Sequence, residues 1–200
     1  AKKGDQLLAS GTWIHPGVKG VLATTGHTEI KVIQVPKIMI CSTGDELVPI
    51  THNPLPHQIR RSNVYMLQAA LKDLNIEAHT THLPDDKDQL NASIGKLLEE
   101  YDLLMFSGAV SKGKYDFLPT VFKELGIQIH IHGVKQKPGK PFLFGTIGSK
   151  SVFGFPGNPS STLVCFHLYF KWWYNHYLGI APNNNYAYLN NEVTFKKPLT

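Results

Sequence analysis

Leu103-Leu104-Met105-Phe106-Ser107-Gly108-Ala109-Val110-Ser111-Lys112-Gly113-Lys114-Tyr115-Asp116 decides how this chain is read. Leu103–Phe106 is a short apolar run, the pattern of a strand buried on both faces. A helical pattern follows Asp116. The loop between them is small, polar and cationic. Gly108 and Gly113 let a backbone approach a ligand closely, and free N–H groups at a strand end suit an anion. Ser107 and Ser111 add hydroxyls, Lys112 and Lys114 add charge, and Asp116 adds an acceptor or a magnesium ligand. An ordinary strand-to-helix turn capped by Asp116 has the same composition, so the loop alone leaves both readings open.

The pattern extends in both directions. Lys37–Cys41 reads as another buried strand, ending in Ser42-Thr43-Gly44-Asp45-Glu46-Leu47. Hydroxyls, a glycine and two carboxylates at a strand end suit either a cation-and-phosphate site or a polar turn. Pro49, Pro54 and Pro56 make Val48–Arg61 an irregular connection. Ser62 is placed to cap a helix whose apolar stripe is Val64, Leu67, Leu71 and Leu74. Ile76–Leu83 reads as a strand, and Pro84-Asp85-Asp86 opens a helix with the stripe Leu90, Ile94, Leu97 and Leu98. Leu118–Leu125 is a short helix stopped by Gly126.

Ile127, Ile129 and Ile131 alternate with polar residues as in a half-exposed strand. Lys135-Gln136-Lys137-Pro138-Gly139-Lys140-Pro141 follows, a basic turn whose charge repulsion a bound anion would ease. Phe142–Ile147 and Ser151–Phe155 read as strands. Pro156-Gly157-Asn158-Pro159 then opens a helix predicted over Ser160–Leu178, with hydroxyls at its positive end and Trp172 and Trp173 as packing residues. Before all of this, Thr28–Val35 alternates like a strand. After it, Pro182–Asn185 reads as a linker, Tyr186–Thr194 as a strand, and the chain stops in mid-pattern.

Strands alternating with helices predict a mostly parallel sheet covered on both faces. Ligands of such sheets bind beyond the C-terminal strand ends. The loops at Asp45, Ser107 and Pro156 all follow strands and open on one edge. The edge of the lysine turn depends on whether its flanking strands run antiparallel.

Bulk properties narrow the class. The chain has 200 residues, 42% of them hydrophobic, which suits one α/β domain with small appendages. A net charge of +5 favours anionic partners. The lysines are scattered over loops with no groove-reading element, which argues against nucleic acid. No apolar run is long enough to span a bilayer. Cys41 and Cys165 sit in apolar contexts, as in a reduced, cytoplasmic protein. The pairs His79/His82 and His130/His132 lack further ligands and read as surface histidines.

Ser42–Leu47, Ser107–Ser111, Lys137-Pro138-Gly139-Lys140-Pro141 and Gly154–Pro159 resemble, in order, the motifs of the molybdopterin molybdenumtransferases. The resemblance implies a three-layer α/β/α fold over 38–180, the molybdopterin-binding fold. It implies a short β-rich N-terminal appendage over 1–37, and a linker with the start of a C-terminal β domain over 181–200. It implies transfer of molybdenum from molybdate to adenylylated molybdopterin with release of AMP, Mg²⁺ as cofactor, and a homodimer in the full-length protein. The family's site also draws on regions beyond these 200 residues, so the chain alone is expected to bind ligand weakly and turn over poorly or not at all.

By the same resemblance, Asp45, Glu46, Asp116, Lys137 and Lys140 are the catalytic positions. Asp45, Glu46 and Asp116 are candidate metal ligands. Thr43, Gly44, Ser107, Gly108, Ser111, Gly113, Pro156, Gly157, Asn158 and Ser160 are the pterin- and phosphate-binding positions. Ala109 stands where a glycine is usual, Lys112 where a small or apolar residue is usual, and Arg61 where an acidic one is usual. A binding or scaffold module of the same fold without catalysis is the alternative.

Overall fold

The computed structural model describes residues 1–108 and 117–180, which divide into two units, Glu29–Lys171 and Ala1–Thr28 with Trp172 onward. The first unit holds a six-stranded sheet, order β4-β1-β5-β8-β7-β6. Its strands are β1 (Ile38–Thr43), β4 (Ala78–Leu83), β5 (Leu103–Ser107), β6 (Gln128–His132), β7 (Leu143–Ile147) and β8 (Lys150–Phe155). β4, β1, β5 and β8 are mutually parallel, and β7 runs antiparallel to both β8 and β6.

Every residue of β1 and β5 is buried, as their unbroken apolar runs require of central parallel strands. Their alternate side chains go to opposite faces. Met39, Cys41, Leu104 and Phe106 join one cluster with Leu90, Ile94 and Leu98 of α3 (Lys87–Glu100) and Leu118, Val121 and Phe122 of α4 (Leu118–Glu124). α2 (Ser62–Lys72) and α5 (Pro159–Cys165) pack together on the other face, against β1 and β8. Three layers result.

The strand directions bring the loops to one edge. Ser42 pairs with Ser107, and Ser107 with Phe155, so β1, β5 and β8 end in one row. β7 begins opposite Gly154, and His132 ends β6 opposite Leu143. The lysine turn between β6 and β7 therefore opens on the same edge.

Several local expectations change. Arg61 takes the capping position of α2, and Ser62 is its first residue. The connection before it contains a two-residue parallel pairing of β2 (Leu47–Val48) with β3 (Ile59–Arg60). The helix predicted over Ser160–Leu178 is α5, a five-residue π segment (Phe166–Phe170) and α6 (Lys171–Tyr177). Trp172 is 56% exposed and stacks on His176, so it is not a packing residue.

Thr28–Val35 forms no strand, and Ile30, Val32, Ile33 and Val35 are exposed. Alternation alone makes no strand without a neighbour to complete its hydrogen bonds. The secondary structure before β1 is instead α1 (Pro16–Thr24), with Pro16 in its first turn and His15 Nδ1 accepting the Gly17 N–H at 3.2 Å. The expected strand at Tyr186–Thr194 lies outside the described residues. Among the described residues no helix is long and apolar enough to cross a membrane.

Gly145 in β7 tests the antiparallel end of the sheet. A Cβ there would lie 2.9 Å from Gln128 O, 3.0 Å from Ile127 Cγ2 and 3.2 Å from Val152 Cγ2. Gly145→Ala is expected to lower unfolding stability by about 1–3 kcal/mol in urea titration; a change under about 0.5 kcal/mol would contradict the β6–β7–β8 register.

Candidate functional site at the C-terminal sheet edge

Beyond the ends of β1 and β5 lies an open cleft of about 390 Å³. Ser107, Gly108 and Gly157 line it from the strand-end loops, with Glu46 after β1 and Arg61 and Asn63 at the start of α2. The three loops approach closely. Gly108 N–H donates to Phe155 O at 3.3 Å. Gly108 has φ +117°, and a Cβ on it would stand 3.1 Å from Thr43 O. A Cβ on Gly157 would stand 3.9 Å from Gly108 Cα. Side chains at these positions would close the approach that a bound oxyanion needs.

Asn63 is a site residue that the sequence reading passed over. It is 8% exposed and lines the cleft. Its Nδ2 donates to Gly157 O at 2.8 Å, which ties α2 to the loop after β8. Its Oδ1 is buried without a hydrogen-bond partner. Such an oxygen costs about 1–3 kcal/mol unless a donor reaches it. The one legible signal was a polar residue immediately before the apolar stripe Val64, Leu67, Leu71.

An acidic corner adjoins the cleft. Asp45 and Glu46 are exposed, and Asp85 N–H donates to Asp45 Oδ1 at 3.4 Å. Burial, then the charges of Asp45 and Glu46, push the Asp85 carboxyl above the usual carboxylate range. His82 Nδ1 lies 3.0 Å from Ser42 Oγ. Burial, then the Arg61 guanidinium, pull His82 below its ordinary value against the opposing pull of Ser42, Asp45 and Asp85. Among the described residues no three His, Cys, Asp or Glu side chains are arranged as a metal site.

The lysine turn reaches the same edge through α5. Thr162 Oγ1 donates to Pro156 O at 2.5 Å, and Cys165 Sγ to Gly139 O at 3.6 Å. Three helical positions separate these contacts, about 4.5 Å along the axis. Lys137 and Lys140 are exposed on either side of buried Gly139 and do not line the cleft itself. Asn158 Oδ1 accepts the Ser161 N–H at 3.3 Å, so this side chain serves as the cap of α5. Ser160 is exposed two residues further on. Ser111, Gly113 and Asp116 lie outside the described residues, as do Ala109 and Lys112.

Cys41, His130 and His79 lend no support to thiol or imidazole chemistry. Cys41 is fully buried, and burial drives its thiol far above the normal range. His130 is exposed and bonds Thr146 Oγ1 at 2.7 Å, and His79 bonds the Tyr101 hydroxyl at 2.7 Å.

Comparison with known proteins identifies the family. Residues 39–175, more than half of the chain, match the family described as a probable molybdopterin binding domain. The chain is 44% identical over 203 residues to a molybdopterin molybdenumtransferase of Synechocystis, covering 100% of this chain and 50% of that protein. It is 35% identical to one of Bacillus subtilis, covering 86% of this chain and 40% of that protein. A solved molybdopterin biosynthesis MoeA protein from Pyrococcus horikosii superposes with a TM-score of 0.71 at 33% identity, covering 85% of this chain and 42% of that one. The chain thus spans about half the length of the relatives it matches, or less.

Arg61 and His82 give a direct electrostatic test. In Arg61→Gln the His82 titration, followed by NMR, is expected to move upward; an unmoved midpoint would show that the guanidinium does not act on the ring. The stability consequence has a definite sign. The folded pKa lies below the ordinary 6.5, so the unfolded chain binds more protons in that window. The stability that His82 supports is full above about 6.5 and is lost as pH falls through the folded value.

Proposed function

The chain belongs to the molybdopterin-binding domain family, and from that premise we propose that its sheet edge is the site of a molybdopterin molybdenumtransferase. In this reading adenylylated molybdopterin and molybdate are the substrates. Water cleaves the phosphoanhydride and AMP leaves, while the two dithiolene sulfurs displace two oxygens of molybdate, which depart as water. The observation that carries the reading is the meeting of backbone at Thr43, Gly108 and Gly157, with the lysine turn tied to the same edge by Thr162 and Cys165.

The residues divide the work by charge. Ser107, Gly108 and Gly157 line the cleft, and with the neighbouring Thr43, Gly44 and Pro156 they are proposed to bind the pterin and its phosphates. Ser111, Gly113, Asn158 and Ser160 are proposed for the same ligand. Asn63 Oδ1 waits for an N–H or O–H donor of the ligand. Lys137 and Lys140 hold molybdate, a tetrahedral oxyanion, and offset negative charge developing on the phosphoanhydride.

Asp45, Glu46 and Asp116 are proposed for magnesium. Mg²⁺ commonly takes one or two carboxylates and completes its shell with substrate phosphates and water, a mode that Asp45 and Glu46 fit without a three-ligand protein cage. Burial first, and then the charges of Asp45 and Glu46, raise the Asp85 carboxyl beside them, and a cation would relieve the second of these. When bound, the ion polarises the phosphoryl group. Buried, unpaired Cys41 and Cys165 fit a cytoplasmic setting, and exposed Ile50, Leu55 and Ile59 offer apolar surface for homodimerisation of the full-length protein.

Calorimetry with adenylylated molybdopterin tests this reading. Asp45→Asn with Glu46→Gln is expected to weaken magnesium-dependent binding by about tenfold or more, and Asn63→Ala by about fivefold. Binding that is absent in the unaltered protein, or indifferent to all three substitutions, would overturn it.

A further inference from the structure

Lys137 and Lys140 sit on a turn that the sheet itself does not secure. Backbone bonds close its base, from Gly133 N–H to Phe142 O at 2.7 Å and from Val134 N–H to Lys140 O at 2.8 Å. The two carbonyls at its tip, Pro138 O and Gly139 O, accept from side chains. Gln136 Nε2 donates to Pro138 O at 2.8 Å, and Cys165 Sγ donates to Gly139 O at 3.6 Å. Gln136 is held in turn by the Tyr169 hydroxyl, which donates to its Oε1 at 2.5 Å, and by Cys165 Sγ at 3.7 Å from its Nε2.

Tyr169 belongs to the π segment after α5, and its ring stacks on Phe142, the residue that re-enters the sheet, with centroids 4.3 Å apart. The fit is close. Gly139 has φ +103°, and a Cβ on it would lie 2.5 Å from Gln136 Nε2 and 2.7 Å from Cys165 Sγ. Burial raises both donors, Cys165 to about 11 and Tyr169 above its ordinary value, so each keeps its proton at neutral pH.

We propose that Gln136, Tyr169 and Cys165 form a brace that positions the two-lysine turn, making Gln136 and Tyr169 positioning residues for recognition of a tetrahedral oxyanion. Lysine side chains are long and flexible, so their selectivity depends on where their Cα atoms are held. The amide of Gln136 converts a hydroxyl on the helix side into a fixed carbonyl direction on the loop side. Cys165, one turn beyond Thr162, links that direction to the loop of Pro156. The proposal rests on the reading that the turn holds molybdate.

The experiment measures molybdate and AMP binding separately, with the thermal midpoint, in five variants. Tyr169→Phe removes the hydroxyl and keeps the ring stack. It and Gln136→Leu are each expected to weaken molybdate binding by about five- to tenfold, the size of one hydrogen bond, while AMP binding stays within about twofold. The double variant is expected to be no weaker than Gln136→Leu alone, because the two residues act in series. Cys165→Ser, which keeps a donor, is expected to retain most of the affinity. A thermal shift in Tyr169→Phe without any loss of molybdate binding would show a merely structural contact and overturn the brace. Lys137→Ala with Lys140→Ala separates the two ideas. If it abolishes molybdate binding and Tyr169→Phe does not weaken it, the brace alone fails. If it leaves molybdate binding unchanged, the reading of the turn fails and the brace with it.

Discussion

Ser42, Ser107 and Phe155 stand side by side across three parallel strands, and this alignment governs everything at the sheet edge. Parallel strands buried on both faces tolerate no slip, since a one-residue shift would turn Ile38, Ile40, Leu103 and Met105 toward the wrong helical layer. Hydrophobic burial is thus what sets the depth at which each loop leaves the sheet. Gly108 then meets Thr43 on one side and the loop of Gly157 on the other because their strands end together.

Three side-chain ties, from two helices, convert that alignment into a candidate site. Asn63 joins the start of α2 to Gly157, and α5 carries Thr162 to Pro156 and Cys165 to Gly139. Each tie runs from a helix packed on the sheet face to a loop on the sheet edge. The loops therefore inherit their positions from the core. Electrostatics is arranged across the same edge, with Asp45, Glu46 and Asp85 at one end of the cleft and the lysine turn tied in through α5.

Much of this is legible in the sequence alone, for physical reasons. Leu103–Phe106 and Lys37–Cys41 are continuous apolar runs, and such runs between helical patterns have few alternatives to a parallel sheet. Glycines and prolines marked the loops that follow. The direction of the lysine turn was not legible, because Ile127–Ile131 alternates equally well in either orientation and only pairing with β7 decides it. Thr28–Val35 misled because alternation records which faces a strand would have, not whether a neighbour exists. α1 was missed although Pro16, Val18, Val21 and Leu22 carry its signal.

The ties themselves were invisible in the sequence. Asn63, Gln136 and Tyr169 are ordinary polar residues whose partners lie 94, 29 or 33 positions away. Nothing local distinguishes them from solvated side chains.

The central claim is that loops far apart in sequence serve one guest at one edge. Amide chemical shifts recorded during titration with adenylylated molybdopterin test it most directly. Thr43, Gly44, Gly108, Gly139 and Gly157 are expected to shift together along one saturation curve. Shifts confined to a single loop, or loops saturating at unrelated concentrations, would contradict it.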